Sequence, residues 1–194
     1  MRISGGAARG VTLQVPKGDL TRPATDGMRQ AVFSSLAARL PGARFADLFA
    51  GSGAYGLEAF SRGADGGVFV EKNPKAADCI RKNIMAVSKS AVRPESNLKL
   101  LVLDVLSWAP VPGEGPDLVF IDPPYEIIAE VGPVLFERMK DWWPSGDADP
   151  VIVFEMPGGV KLEPSGWTCV KRLGKGAHQP TVGFFRRSQI NPVG

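Results

Sequence analysis

Asp122-Pro123-Pro124-Tyr125 follows the apolar run Asp117–Ile121 and is the segment of this sequence best suited to chemistry. Two consecutive prolines fix the backbone and remove two N–H donors. What is left is a rigid row of acceptors, the Asp122 carboxylate and the nearby carbonyls, followed by an aromatic ring. Such a row suits an amino group attached to a flat ring. Asp122 and the Pro123 carbonyl accept its two N–H groups, and Tyr125 stacks on the ring. An amine of this kind is a weak nucleophile, because its lone pair is delocalised. Holding both protons on acceptors turns the nitrogen toward tetrahedral geometry and aims the lone pair at an electrophile. Positioning of this sort accounts for up to about 7–11 kcal/mol of a barrier. Asp122 also stabilises the positive charge that develops on nitrogen. Taken alone, the same four residues make a rigid turn after a strand.

Asp47-Leu48-Phe49-Ala50-Gly51-Ser52-Gly53-Ala54-Tyr55-Gly56 carries a second chemical signal, a GxGxxG run between a predicted strand and a predicted helix. The glycines permit a tight turn and close backbone approach, and the helix offers free N–H groups. Glu71, twenty positions after Gly51, ends the next predicted strand, where an acidic residue can hold the two hydroxyls of a ribose. All of this also fits a dinucleotide-binding oxidoreductase. Asp47 argues otherwise: a carboxylate four residues before the first glycine opposes a pyrophosphate and suits a cationic amino group, such as the methionine end of S-adenosylmethionine. Its alternative role is to cap a loop or pair with a buried arginine. Asp104 ends the third strand, placed either to reach an adenine amino group or to cap a helix before Val105.

The elements that must position these residues alternate regularly. Strands are predicted at Arg44–Phe49, Gly67–Glu71, Leu98–Leu103, Asp117–Ile121 and Val151–Glu155, with two more between Thr168 and Arg187. Helices are predicted from Thr25 or Asp26 to about Leu40, over Ala54–Arg62, from an Asn73 cap with Pro74 in the first turn to about Ser88, and over Ile127–Trp142. Nearly continuous apolar strands alternating with helices imply a mostly parallel α/β sheet covered on both faces, with ligands at the strands' carboxyl ends. The glycine-broken segment before residue 20 reads as a small hairpin or an extended arm.

The chain has 194 residues, enough for one domain with a small appendage. Its charge is uneven: +3 over residues 1–30, −5 over 31–160 and +5 over 161–187. Two basic ends around an acidic centre suggest a polyanionic partner, or else simply solvated surface. Cys79 and Cys169 form no CxxC and read as reduced. With no apolar run of membrane-span length and no signal-peptide pattern at the start, the expected location is the cytoplasm. His178, the single histidine, reads as surface or structural, and Trp142-Trp143 as packing at the end of a helix.

The glycine loop with Asp-Pro-Pro-Tyr resembles the class I amino-methyltransferases, which carry an Asn/Asp-Pro-Pro-Tyr/Phe signature. The start of the chain narrows this. Met1-Arg2-Ile3-Ser4-Gly5-Gly6, Arg9-Gly10, Thr21-Arg22-Pro23-Ala24-Thr25-Asp26 and Arg29 are similar to the opening of the bacterial RsmD family of 16S rRNA guanine-N2 methyltransferases. The resemblance runs to about Arg187. Departures are Ala24, where the family usually has threonine, Gly27, where a larger residue is common, and a loosely matching Lys171–His178 segment. The resemblance implies a Rossmann-like class I methyltransferase sheet, mostly parallel with an antiparallel C-terminal strand and helices on both faces. It implies an RNA-contacting arm over 1–24, a methyltransferase domain over 25–187 and a flexible tail over 188–194. It places S-adenosylmethionine against Asp47, Phe49, Gly51, Ser52, Gly53, Gly56, Glu71, Lys72, Asp104, Val105 and Asp122. It places catalysis on Asp122, Pro123, Pro124 and Tyr125, and RNA contacts on Arg2, Arg9, Arg22, Thr25 and Arg29, although Arg22 could equally tie the arm to the core. The expected reaction is methylation of guanine 966 N2 in 16S rRNA of the assembled or assembling 30S subunit, by a monomer without metal. The alternatives are an N6-adenine or other base-amine methyltransferase, the oxidoreductase, and a non-enzymatic RNA-binding protein that kept the fold.

Overall fold

The structure, a computed structural model, describes residues 1–16, 26–144 and 148–188. Among these residues seven strands form one sheet: β1 (Arg44–Leu48), β2 (Gly66–Val70), β3 (Leu98–Leu101), β4 (Leu118–Ile121), β5 (Val151–Pro157), β6 (Trp167–Leu173) and β7 (Pro180–Arg187). Their order is β3-β2-β1-β4-β5-β7-β6. The first five are parallel; β7 runs antiparallel between β5 and β6. The expected mixed sheet is borne out. Among the described residues four α-helices flank it: α1 (Asp26–Ser35), α2 (Ala54–Ser61), α3 (Pro74–Ala91) and α4 (Ile128–Met139).

Alternation along the parallel strands divides the core. Phe45, Leu118 and Phe120 point to the layer that holds Phe33, Leu57, Phe60 and Ile80. Ala46, Leu48, Val119 and Ile121 point to the layer that holds Leu135, Phe136, Trp142 and Trp143. Each fully buried large side chain contributes about 1.5–3 kcal/mol. The two tryptophans are packing residues, as expected; the Trp143 indole also donates to the Pro116 carbonyl at 3.2 Å.

Boundaries differ from expectation at several elements: α3 runs on to Ala91 and β3 stops at Leu101, and two helices end early. α1 ends at Ser35 and a separate 3-10 turn, Ala37–Arg39, follows. Leu36 and Leu40 are still buried, so the apolar spacing marked the core face correctly but not continuous helix. α4 stops at Met139, and its predicted last turn is a 3-10 turn over Lys140–Trp142.

The N-terminal segment is a hairpin. Arg2 bridges Thr12, and Ile3 and Val11 are joined by an N–H···O bond of 2.9 Å. It is docked rather than free: Ile3, Ala8 and Leu13 are buried in the first core layer. The Ala7 N–H donates to the Ser61 carbonyl at 2.7 Å, and the Ser4 N–H and hydroxyl donate to Glu58 at 2.8 and 2.7 Å. Gly6 has φ +79° and lies so close to the Ser61 carbonyl that a Cβ would sit 1.9 Å from it, so only glycine admits this approach. Among the described residues no helix is long and apolar enough to cross a membrane.

Candidate active site

Strand register assembles the site. Leu48 pairs with Val70 and Ile121, and Ile121 pairs with Phe154. The next residues, Phe49, Glu71, Asp122 and Glu155, therefore form one row across four adjacent strands at their carboxyl edge. A cavity of about 820 Å³ opens there, walled by Asp47, Phe49, Gly51, Ser52, Glu71, Lys72, Val105 and the whole Asp122–Tyr125 segment. That volume is within the range usual for small-molecule sites.

The glycine loop is shaped for close approach. Gly51 and Gly53 have φ +55° and +76°, and Gly53 leads into α2. Phe49 also has a positive φ, +59°, a conformation that costs on the order of 1–3 kcal/mol for such a residue and that clusters at functional sites. Gly56 does not reach the cavity wall. A Cβ there would lie 2.4 Å from the Phe69 ring and 2.5 Å from the Phe45 ring, so this glycine serves close packing of helix on sheet. Its N–H donates to the Asp47 carboxylate at 2.9 Å. Burial raises the Asp47 carboxyl well above the ordinary range; the Gly56 bond opposes the shift, and the charges of Asp122 and Glu71 add to it.

Glu71 accepts from the Gly51 N–H at 2.9 Å and the Asn73 N–H at 2.8 Å, one on each oxygen. Both bonds hold the carboxylate against the loop while it still faces the cavity, and each oxygen keeps a lone pair for a hydroxyl donor. Asp104 is placed differently. Its carboxylate accepts from the Leu106 N–H at 2.9 Å, capping the turn Val105–Ser107, and lies 3.5 Å from Lys72. It is not part of the cavity wall, which is formed here by Val105.

At the catalytic segment, burial pushes Asp122 up to about 7. Tyr125 opens a 3-10 turn and keeps 38% of its surface exposed. Burial, then the charges of Glu155 and Asp122, raise its phenol to about 12. Tyr55, from α2, is stacked on Phe120 with 5.4 Å between centroids and donates its hydroxyl to Glu155 at 3.0 Å. Glu155 is 2% exposed. Burial and then the Asp122 charge raise it to about 8, against the pull of the two phenols.

Arg2 and Arg9 are exposed on the hairpin, consistent with the expected role, whereas Arg22 and Thr25 lie outside the described residues. The expectation for Arg29 is corrected. It is 1% exposed, lies 2.8 Å from Asp26 and 3.5 Å from Glu58, and donates to the Arg2 carbonyl at 2.6 Å. A guanidinium held this way ties the hairpin to α1 and forms part of the cavity wall; it presents no fork to a surface phosphate.

Several site residues escaped the sequence reading. Glu155 had the same signature as Glu71 and Asp122, an acid ending an apolar strand. Tyr55 stood inside the glycine run, and its role needs the stacking on Phe120. His178, from the β6–β7 connection, and Pro180, at the start of β7, reach the cavity wall, which no local pattern indicates. Among the described residues no group of three or more His, Cys, Asp or Glu side chains could hold a metal ion.

A doubly wound sheet with a glycine loop after β1, an acid after β2 and Asp-Pro-Pro-Tyr after β4 defines a class I methyltransferase. Comparison with known proteins agrees. The family described as Conserved hypothetical protein 95 matches residues 1–179, and the chain belongs to this family, so the resemblance to RsmD is borne out. It is 31% identical over 170 residues to ribosomal RNA small subunit methyltransferase D of Escherichia coli, covering 87% of this chain and 81% of that one. Among solved structures, the Escherichia coli protein yhhF superposes with a TM-score of 0.77 at 29% identity, covering 96% of this chain and 97% of its own. An RNA methyltransferase from Salinibacter ruber, solved with S-adenosyl-L-homocysteine, shares the fold, with a TM-score of 0.61 at 16% identity over 89% of this chain and 98% of its own.

Proposed function

We propose that the protein methylates the exocyclic N2 of a guanine in 16S rRNA, in the assembled or assembling 30S subunit, with S-adenosylmethionine as donor. The proposed site of action is the cytoplasm, and the acting form a monomer. The observation that carries the reading is the cavity where Asp122-Pro123-Pro124-Tyr125 faces the Gly51–Gly53 loop.

The residues present fit the donor. Asp47, Glu71 and Asp122 make the cavity acidic, which favours a cationic ligand and disfavours a pyrophosphate. Asp47 and the loop N–H groups suit an amino acid end, and Glu71 suits ribose hydroxyls. When bound, S-adenosylmethionine supplies an electrophilic methyl group on a sulfonium.

The chain's own residues do the rest. Asp122 and the Pro123 carbonyl accept the two N–H groups of the base amine and orient its lone pair. Pro124 keeps the acceptor row rigid, and the Tyr125 ring is the flat wall for the base. Asp122, once ionised, stabilises the developing ammonium charge in a site shielded from water. A guanine must leave its stack to enter, and Arg2 and Arg9 are placed to hold the surrounding backbone.

The test is incubation with labelled S-adenosylmethionine and small subunits that lack the modification, followed by mapping of the labelled nucleotide. Label on guanine N2 of 16S rRNA is expected. Label on an adenine N6 would favour the other base-amine reading, and no incorporation into any ribosomal state would favour a non-enzymatic RNA-binding role.

A further inference from the structure

We propose that Arg29 holds the carboxylate of the cofactor's amino acid end, as the counterpart of Asp47, which takes its amino group. The inference deepens the functional reading above and rests on S-adenosylmethionine as donor.

An amino acid end carries an ammonium and a carboxylate on one carbon, so its receptor must offer both an acid and a set of donors. Asp47 is the buried acid. The glycine loop has little left for an anion, because the N–H groups of Gly51, Gly53 and Gly56 are spent on Glu71, Ala50 and Asp47. Lys72 and Arg29 are the lysine and arginine side chains of the cavity wall. Lys72 follows Glu71 at the ribose end, is 63% exposed and pairs with Asp104 at 3.5 Å. Arg29 is 1% exposed and stands where the loop turns into α2. Its Nη2 donates to the Arg2 carbonyl at 2.6 Å, and the preceding residue, Met1, takes the Ser52 hydroxyl on its sulfur at 3.5 Å.

The donors of Arg29 are not used up. A guanidinium has five N–H groups in a planar fork. The hydrogen bonds it makes among the described residues both leave from Nη2, to the Arg2 carbonyl and to Asp26. Nε is buried without a hydrogen-bond partner. Glu58, 3.5 Å away, has its oxygens on Ser4 and Arg62 instead. Asp26 is half exposed, so solvent screens its pairing. A buried guanidinium with donors to spare in the wall of a cavity is costly when empty and suits a planar anion.

The experiment is calorimetric titration with S-adenosylmethionine and with decarboxylated S-adenosylmethionine, which lacks only the carboxylate. The wild type should bind the first about ten- to hundredfold more tightly, the usual worth of a hydrogen bond to a charged group. Arg29→Met should weaken S-adenosylmethionine by the same factor and leave the decarboxylated compound unchanged; Arg29→Lys should recover part of the loss. Equal losses for both compounds would mark a purely structural guanidinium and overturn the proposal. So would unchanged cofactor affinity with a raised KM for RNA, which would assign Arg29 to the base. The wild-type comparison decides even if the variants fail to fold: equal affinity for the two compounds sinks the proposal alone, whereas a wild type that binds neither sinks the functional reading with it.

Discussion

The backbone N–H of Gly56 donates to the carboxylate of Asp47 across 2.9 Å, joining the first turns of α2 to β1 over the glycine loop. The contact requires the helix to lie directly on Phe45 and Phe69. A methyl group at position 56 would meet both rings, which are packed edge to face with centroids 5.3 Å apart. Gly56→Ala is therefore expected to destabilise the protein by about 1–3 kcal/mol, the usual cost of overpacking. Calorimetry should show a lower Tm and weaker S-adenosylmethionine binding. An unchanged Tm would mean that the helix shifts freely, and that the loop is less constrained than the contacts indicate.

Asp122 separates binding from chemistry. Asp122→Ala removes the acceptor that orients the amine and balances its developing charge. The expected loss in kcat is about 10²–10³-fold, comparable with removal of one preorganised electrostatic partner elsewhere. Affinity for S-adenosylmethionine, carried mainly by the loop, Asp47 and Glu71, should be largely retained. Single-turnover methyl transfer and calorimetric titration check the two halves. Normal turnover would refute the assignment.

The raised carboxyls set the pH response. Asp122 titrates near 7 and Glu155 near 8 in the folded chain, while unfolded carboxyls titrate near 4. The folded state thus holds protons that the unfolded state has released. Their contribution to stability is complete below about pH 4 and is lost as pH rises through 7–8. Across pH 5–9 the ligand-free Tm should fall, with a shallower slope in Asp122→Asn. Activity should do the opposite and rise through about 7, because only the ionised Asp122 balances the positive charge that develops on the amine nitrogen. S-adenosylmethionine, as a cation, should move that limb to lower pH. Melting curves and kcat/KM profiles decide; a Tm that climbs over this range contradicts the burial argument.

Asn83 joins the hairpin to the loop. Its side chain accepts from the Gln14 N–H at 2.8 Å and donates to the carbonyls of Gln14 and Ser52 at 2.9 and 2.8 Å. Asn83→Ala leaves the buried Ser52 carbonyl and the partly buried Gln14 groups without this partner, at about 1–3 kcal/mol. Denaturant titration should show that loss, and S-adenosylmethionine binding should weaken because Ser52 and Val15 line the same cavity. Unaltered cofactor affinity would show that the hairpin and the loop act separately.

Arg9 is exposed and has no ion-pair partner among the described residues. Arg9→Ala should weaken RNA binding and reduce the slope of log affinity against log salt by about 1 if it meets a phosphate. Filter binding at several salt concentrations tests this, and an unchanged slope removes Arg9 from the interface.

The order of strands and helices, the turn at Gly51–Gly53, the acid at Glu71 and the Asp122–Tyr125 segment were legible in the sequence, because each rests on local rules. Apolar periodicity marks faces, proline and glycine fix backbone shape, and a charged residue ending an apolar strand marks the sheet's carboxyl edge. Tertiary structure alone decided the rest. Asp104 became a cap bonded to Leu106, and Arg29 went inside, because Glu58, Asp26 and the Arg2 carbonyl surround it after the hairpin docks on α2. Glu155, 33 positions beyond Asp122, became its neighbour only through strand pairing. His178 reached the cavity through an antiparallel return. Burial and register are properties of the assembled sheet, and hydrogen bonds between residues 50–100 positions apart, such as Tyr55 to Glu155, leave no periodic trace in the chain.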